Sequence, residues 1–287
     1  MLIAAVMSLT GHGINYGIDF AGGLNLQYNM GAAYDKADVE EALKAQGIEE
    51  FVVSSVGSDG TTVQIRVPTL SSEDEVQNLQ NGLESALLEK YPDMDTDNAT
   101  ASYVGPVAGA TLVRNAVFSV LIAAALMLIY IAFRFDLFSG IAAVVGLLHD
   151  VLIMISFMVI LRSVIQMNSS FIAAMLTIVG YSINNTIVIF DRIRENNKKP
   201  ALAGQPRSEI VEQSVKESLG RTINTTLTTL VTIVTLYILG VASIREFSLP
   251  IIIGILAGAY SANLINGYVW AALEDARLAR KSQKKAA

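Results

Sequence analysis

Long apolar runs alternate with polar segments along most of the chain, and five of these runs are long enough to cross a lipid bilayer. A helical span needs about 20 residues to cover roughly 30 Å of hydrocarbon. The runs that meet this length are 113–133, 137–161, 171–190, 222–241 and 248–273. A further apolar run at residues 1–10 is too short by itself, so we expect residues 1–16 to hold a truncated first span. The pattern predicts a polytopic α-helical membrane protein with six transmembrane helices.

The polar segment between the first two predicted spans, residues 17–106, has the pattern of a separate folded domain. Its stretches follow the order strand, helix, strand, strand, helix, strand. We expect the strands at 24–30, 51–56, 61–67 and 101–104, and the helices at 34–46 and 71–91. The second helix begins with a capping-box pattern, Ser72 followed by Glu75. This order predicts one α+β ferredoxin-like domain.

Charge is distributed unevenly along the chain, and this distribution predicts the topology. Residues 24–103 carry 15 acidic and four basic side chains, a net charge of −11, so the remainder carries +5 of the total −6. The basic residues concentrate in segment 191–221 and in the tail 274–287. Because basic loops stay on the cytoplasmic side of a membrane, we expect that loop and the C-terminus inside and the soluble domain outside. Residues 107–273 then form a five-helix bundle.

The composition excludes several classes of function. The chain is 52% hydrophobic and 16% charged, with a mean hydropathy of +0.48, which is typical of a protein whose solvent is a bilayer. It has no cysteine, and its two histidines, His12 and His149, are isolated. It also lacks a P-loop, a GxGxxG turn and an HExxH motif. We therefore expect no catalytic residues, no metal site and no ATP hydrolysis.

Polar residues within the predicted spans are the candidate functional residues, because a polar side chain in the membrane is costly. Asp150 lies near the middle of its span and shares a helix face with Ala142 and Gly146, since the three are spaced by four. This face should meet another helix. The carboxylate is either functional or a structural group paired with a neighbouring hydroxyl or amide.

Ser182, Asn184 and Asn185 interrupt the next span before charge resumes at Asp191 and Arg192. The amides can donate and accept hydrogen bonds, but they cannot titrate. From their chemistry alone they are best explained as contacts between helices, of about 0.6 to 2 kcal/mol per bond.

The last two predicted spans offer packing patterns and one basic residue. Arg221 precedes a threonine-rich span and can extend to the membrane surface. Gly254, Gly258 and Ala262 form a small-residue face that Asn266 extends. Such a face predicts a close helix contact.

Three stretches together resemble the SecD/SecF family of protein-export membrane proteins, within the resistance-nodulation-division superfamily. They are NYGIDFAGG after the first span, GYSINNTIVIFDRIREN in the fourth and KESLGRTINTTLTTL before the fifth. The similarity includes the six-span topology and the single outer domain. A trimmed chain, or the second half of a fused SecDF polypeptide, would each explain the short first span.

The resemblance implies an accessory subunit of the bacterial Sec translocase that uses the proton gradient to assist export of unfolded polypeptides. The implied partners are SecD, the SecYEG channel and the translocating polypeptide, with YajC and YidC as further candidates and no nucleic acid. Protons would be the coupling ion, and no other cofactor is expected. The implied location is the bacterial cytoplasmic (inner) membrane.

The chain departs from the family pattern at one position. The family's fourth span reads SINDT, and its aspartate is thought to take part in proton passage at the SecD–SecF interface; the matching residue here is Asn185. The family's arginine before the fifth span matches Arg221, which is present. Because asparagine has the shape of a protonated aspartate and cannot ionise, either the relay is blocked or protons pass through Asp150 or through carboxylates of SecD. Ser182, Asn184, Asp191 and Arg192 are supporting polar positions.

Two alternatives to proton-driven export are also consistent with the sequence. A proton-coupled small-molecule or lipid exporter of the same superfamily usually has two six-span halves and larger outer domains. A scaffold without proton coupling is the other alternative.

Gly17, Gly22 and Gly23 are either a hinge between span and domain or a tight turn into a strand.

Overall fold

The computed structural model describes residues 1–11, 13–56, 60–68, 70, 72–162 and 165–286. The chain divides into two compact units. One comprises Asn15–Ala116 with Gln166–Ser169, and the other comprises Met1–Ile14, Val117–Ile165 and Ser170–Ala287. We call them the α+β unit and the helical unit. His12 and Ser71, which belong to the sequence predictions, lie outside the described residues.

After a short first helix, α1 (Leu2–Leu9), the described residues of the α+β unit form three helices and four strands before α5 begins. These are α2 (Ile18–Ala21), β1 (Gly23–Asn29), α3 (Lys36–Ala45), β2 (Val52–Val56), β3 (Thr62–Val67), α4 (Glu73–Lys90) and β4 (Asp95–Val104). From β1 onward the observed element order is the predicted one. Only the start of β4 differs by more than two residues, because its first half, DTDNAT, lacks apolar alternation and pairs through its backbone.

The four strands form one sheet in the order β2–β3–β1–β4, and all three neighbouring pairs are antiparallel. Leu26 at the centre of β1 lies opposite Ile65 of β3 and Ala101 of β4. Alternate residues of β1 and β3 point to one face, where α3 and α4 cover them with buried leucines such as Leu43 and Leu83. The core of this unit is therefore a single layer between the sheet and two helices.

Side-chain caps fix the beginnings of both covering helices. The hydroxyl of Ser72 accepts a hydrogen bond of 3.3 Å from the backbone N–H of Glu75. The carboxylate of Asp35 accepts one of 3.0 Å from the N–H of Ala37. These acceptors satisfy donors that the first turn of a helix leaves without a partner. The predicted cap at Ser72 is confirmed.

The remaining helices are longer and more apolar. They are α5 (Pro106–Arg134), α6 (Leu137–Ile160), α7 (Ser169–Asn196), α8 (Arg207–Leu239), α9 (Ala242–Ser261) and α10 (Gly267–Ala286). A π-helical segment, Ala262–Asn266, joins α9 to α10 without a break. In the described part of the chain, five helical stretches are long and apolar enough to cross a membrane, the last being Ser243–Arg280. The α1 helix has eight residues and is not among them.

The predicted cytoplasmic loop at 191–221 is mostly helical, which corrects the sequence interpretation. The α7 helix continues to Asn196 and α8 begins at Arg207, so only residues 197–206 connect them, with a short 3-10 turn at Pro200–Leu202. The predicted basic tail at 274–287 likewise continues α10 as far as Ala286. Hydropathy identifies the apolar part of a helix, whereas the helix itself extends through polar residues of good helix propensity.

Candidate functional site: a buried polar cluster in the helical unit

Asp150 is the centre of a polar cluster formed by three helices. Its side chain on α6 is only 1% exposed. The Oδ2 atom accepts a hydrogen bond of 2.6 Å from the hydroxyl of Ser182 on α7 and one of 2.9 Å from the hydroxyl of Ser261 on α9. Two donors from two helices therefore satisfy one oxygen of a buried carboxyl group.

The other carboxyl oxygen of Asp150 faces its neighbour in sequence. Oδ1 lies 3.0 Å from Nδ1 of His149. The imidazole stacks against Tyr260 of α9, with ring centroids 5.7 Å apart and planes inclined by 26°. The His149 side chain is 21% exposed, so it lies between the buried carboxyl group and the surface of the unit.

Small residues allow the helices to approach closely around the cluster. A Cβ atom at Gly258 of α9 would lie 3.1 Å from the Ser182 side chain, and one at Gly254 would collide with Ile178 of α7. A Cβ atom at Gly146 of α6 would collide with the side chain of Asn266. The small-residue faces predicted from sequence therefore make close helix contacts, as expected.

A second set of hydrogen bonds lies one turn further along α7. The amide Nδ2 of Asn266 donates to the hydroxyl of Thr186 at 2.8 Å, and that hydroxyl donates to the backbone carbonyl of Ser182 at 3.1 Å. All three side chains are buried. The polar atoms of α6, α7, α9 and the π-helical segment thus form adjacent layers within the unit.

The two neighbouring amides of α7 occupy different environments, because successive residues are about 100° apart around a helix. Asn184 is exposed, whereas Asn185 is 2% exposed. Among the described residues, the Nδ2 group of Asn185 has no hydrogen-bond partner. A buried amide donor without a partner costs about 1–3 kcal/mol, so this position is energetically unfavourable as it stands.

Arg221 lies at about the same level of the unit as Asn185 but is not bonded to it. The hydroxyl of Tyr181 donates to the carbonyl of Thr225 on α8 at 3.4 Å. One turn along α7 from Tyr181 is Asn185, and one turn back along the antiparallel α8 is Arg221. The Arg221 residue is exposed, and no hydrogen bond or ion pair found among the described residues joins it to Asn185.

Asp191 and Arg192 belong to a separate group at the end of α7. Asp191 lies 3.5 Å from Arg134 of α5, and Arg192 bonds Glu217 of α8 at 2.5 Å. Asn196, also on α7, donates to Ser214 and to Glu217 of α8 at 2.9 and 3.0 Å. These contacts join the polar ends of the helices, and none of them reaches the Asp150 cluster.

The three glycines predicted as a hinge lie in the α+β unit. Gly17 has an ordinary extended backbone, with φ −71° and ψ 169°. Gly22 and Gly23 have positive φ values of 80° and 111°, and a Cβ atom at Gly23 would collide with the backbone of Val67 and Pro68. This geometry fits the alternative reading, a tight turn into β1 that only glycine adopts without strain. Motion at these residues stays a prediction.

Three residues that complete the cluster were not predicted from the sequence. Ser261, Tyr260 and Thr186 received no role, although each is a polar residue inside an apolar run. Ser261 directly precedes Ala262 of the small-residue face, and this position in the sequence could have identified it as a contact residue. No three His, Cys, Asp or Glu side chains of the described ranges converge where they could hold a metal ion.

The helices and the small sheet define a multi-pass membrane protein with one α+β unit. Residues 84–276 match the model of the C-terminal region of the protein export membrane proteins SecD and SecF, and residues 8–30 match the SecD/SecF GG motif. The chain belongs to the SecD/SecF family of protein export membrane proteins.

Individual relatives give the same result. The protein translocase subunit SecF of Endomicrobium trichonymphae is 36% identical, with 87% of this chain and 78% of the relative aligned. The SecF subunit of Alicyclobacillus acidocaldarius is 35% identical over 99% of this chain and 89% of the relative.

Two solved structures are similar to nearly the whole chain. The crystal structure of SecDF, a translocon-associated membrane protein from Thermus thermophilus, superposes with a TM-score of 0.77 at 35% identity over 96% of this chain. SecDF in its super-membrane-facing form gives a TM-score of 0.66 at 32% identity over 99% of this chain. The chain spans 36% and 38% of those two longer chains.

Proposed function

We propose that this chain is an accessory subunit of the bacterial Sec protein translocase and assists polypeptide export together with a SecD-type partner. The observation that carries the proposal is the similarity to curated SecF subunits at 35–36% identity over 87–99% of the chain. The two SecDF structures contain a region like this chain within a longer polypeptide, which supports SecD as the partner. The SecYEG channel, the exported polypeptide, YajC and YidC are proposed partners on the same basis.

The topology is part of the proposal. We assign α1 to a sixth transmembrane helix, supported by its packing against α6 and by the buried side chain of Ala4. The α+β unit is assigned the ferredoxin-like class, supported by its element order and its fully antiparallel sheet. Basic residues at 191–221 and in the tail support a cytoplasmic C-terminus and an acidic α+β unit outside the cytoplasmic membrane.

Proton coupling is proposed to use Asp150, because Asn185 cannot ionise. Asp150 is the acidic group held inside the helical unit by hydrogen bonds from α7 and α9. Arg221, at the level of Asn185, is proposed to face the partner subunit, where a guanidinium stabilises a carboxylate. The non-titratable Asn185 also supports a second candidate function, a scaffold that assembles with the translocase without coupling to protons.

Export assays with purified components separate these candidates. The chain with its SecD-type partner is reconstituted with the translocation channel, and export of a secretory protein is measured with and without a proton gradient. The proposal expects Asp150→Asn and Arg221→Ala each to abolish the gradient-dependent part of export while the complex still assembles. Equal stimulation by both variants would support the scaffold.

The same assay tests the departure at Asn185. Restoring a titratable group with Asn185→Asp is expected to raise gradient-dependent export, because the carboxyl group would add a second protonation site. Asn184→Asp, at the exposed neighbouring position, is the matched control and is expected to leave export unchanged. Unchanged export in Asn185→Asp would remove this position from the proposed relay.

A further inference from the structure

His149 and Asp150 are adjacent in sequence and in contact, yet their exposure differs sharply. The carboxyl group is 1% exposed and the imidazole 21% exposed, with Nδ1 and Oδ1 3.0 Å apart. Oδ2 is already occupied by two serine hydroxyls from α7 and α9. The imidazole therefore lies between Oδ1 of Asp150 and the surface of the helical unit.

We propose that His149 transfers protons between the surface of the helical unit and Asp150, along an access route between α6 and α9. This inference rests on the proposed function, in which Asp150 gains and loses a proton, and it adds the residue that delivers that proton. Tyr260 of α9 stacks on the imidazole at 5.7 Å and holds the ring against the carboxyl group. Tyr260 is a positioning residue in this scheme.

The chemistry of the two side chains suits the transfer. Histidine is the side chain whose ordinary pKa allows it to bind and release protons near neutral pH. The neutral ring donates its Nδ1–H to Oδ1 of Asp150, and a proton from the surface binds Nε2. The Nδ1–H bond then breaks as an O–H bond forms on Oδ1, which leaves a neutral ring with its hydrogen on Nε2 and a neutral carboxylic acid. The reverse sequence returns the proton.

Protonation of Asp150 changes the contacts between three helices. Hydrogen bonds to a charged acceptor are roughly twice as strong as those between neutral groups. The hydroxyls of Ser182 and Ser261 both donate to Oδ2, so loss of the negative charge weakens the links from α7 and α9 to α6 together. The proton delivered by His149 thereby loosens the packing at the centre of the helical unit.

Among the residues that the structure describes, two ionisable side chains contact His149. Tyr260 is the titratable residue that faces it from α9, and Asp150 faces it from its own helix. The α7 helix presents the hydroxyl of Ser182 to the Asp150 carboxyl group. The α1 helix, LIAAVMSL, and the π-helical segment, ANLIN, also pack against α6, and neither contains an ionisable side chain. The α10 helix packs against α6 as well, and its ionisable side chains are Tyr268 and those from Glu274 onward.

Time-resolved infrared spectroscopy on the full chain with its SecD-type partner tests the transfer directly. Protonation of Asp150 is followed after a pH jump as the carboxylic acid C=O band that Asp150→Asn removes. His149→Ala is expected to slow the appearance of this band on the order of 10²-fold, the contribution of a positioned proton donor. Added imidazole should restore the rate, which a purely structural role would not allow.

Two further variants keep the test decisive. His149→Gln retains a side chain of similar size that can bond Oδ1 but cannot carry a proton, so it should be as slow as His149→Ala even if the alanine variant folds poorly. Leu148→Ala, at the exposed residue before His149, is the matched control and should keep the native rate. A native rate in His149→Gln would overturn the inference, as would a band that does not change with pH.

Export measured on the same proteins distinguishes this inference from the proposed function. If the carboxylic acid band appears slowly in His149→Gln, the transfer step is supported. If Asp150→Asn nevertheless exports normally, coupling through Asp150 is contradicted, and the transfer step still stands. Native infrared kinetics in His149→Gln would contradict the transfer step, whatever the export result.

Discussion

The carboxyl group of Asp150 on α6 accepts a hydrogen bond of 2.6 Å from the hydroxyl of Ser182 on α7, although the two residues are 32 positions apart in the chain. Ser261 of α9 donates to the same oxygen at 2.9 Å. One carboxyl oxygen therefore connects three helices that all belong to apolar segments. The packing of these three helices is therefore linked to the contacts of a single carboxyl group.

Removing the Ser182 hydroxyl should destabilise the helical unit. In Ser182→Ala the buried carboxyl oxygen loses one of its two donors, which we expect to lower the free energy of unfolding by about 1–3 kcal/mol. The measurement is reversible unfolding of the full chain in mixed micelles. Ser156→Ala is the control, because the one hydrogen bond of the Ser156 hydroxyl found within the described ranges goes to the Leu152 carbonyl of its own helix, at 2.6 Å.

The two serines should also act together. If both hydroxyls bond the same oxygen, Ser182→Ala and Ser261→Ala are expected to be non-additive in a double-mutant cycle, with a coupling of about 0.5–3 kcal/mol. Strictly additive effects would mean that the two hydroxyls do not share the Asp150 carboxyl group.

Two helical glycines should respond in opposite ways to the same substitution. Gly146→Ala is expected to destabilise by about 1–3 kcal/mol, because the new methyl group collides with buried Asn266, which its bond to Thr186 holds in place. A methyl group at Gly180 would lie within 4 Å of no described atom beyond its own turn of helix, so Gly180→Ala should stabilise the helix by about 0.5–1 kcal/mol. Unfolding in the same micelles measures both. Equal effects would contradict the close contact at Gly146.

In the α+β unit, Gly23→Ala should be much more damaging than Gly47→Ala. Both glycines have positive φ, 111° and 79°, but only Gly23 lies against backbone, with its Cβ position 2.8 Å from the Cα atom of Pro68. We expect about 1–2 kcal/mol of backbone strain in both variants and roughly 1–3 kcal/mol more at Gly23. Hydrogen exchange of the β1 amides measures the loss. A mild effect at Gly23 would favour the hinge reading.

The acid stability of the α+β unit should depend on Asp38. The Tyr91 hydroxyl donates to this carboxylate at 2.6 Å and Lys90 donates at 3.0 Å, and these bonds hold the pKa of Asp38 below its ordinary value of 3.8. A carboxyl group with a lowered pKa stabilises the fold above its unfolded-state pKa and loses that contribution as the pH falls through the folded-state pKa. In Asp38→Asn, the midpoint temperature of unfolding should therefore decrease less steeply below about pH 4 than it does in the unsubstituted protein.

Circular dichroism at stepped pH measures that midpoint. Glu50→Gln, which removes one negative charge at an exposed position, is the control and should leave the slope unchanged. Tyr91→Phe removes the first of the two donors and should act in the same direction as Asp38→Asn. An unaltered slope in both Asp38→Asn and Tyr91→Phe would contradict this account.

Much of the fold follows from local patterns. Alternating apolar residues in β1 and β3, the Ser72 cap and the long apolar runs each act within a few residues, so the sequence predicted the element order, the five long spans and the close contact at Gly146. The predicted bounds of the elements were wrong where the pattern of apolar residues is weak. The polar first half of β4 and the helical ends around 191–221 carry no apolar signal, because backbone pairing and helix propensity sustain them.

By itself the sequence determined that this chain lies in a membrane, that an acidic α+β unit follows the first apolar run, and that a carboxylate and two amides lie within apolar segments. These properties depend on composition and short-range periodicity. Only the tertiary structure decided which polar residues meet. It buries Asn185, exposes Asn184 and joins Asp150 to Ser182 and Ser261, because the contacts of a helix depend on how it is rotated against its neighbours, and that rotation results from packing between distant segments.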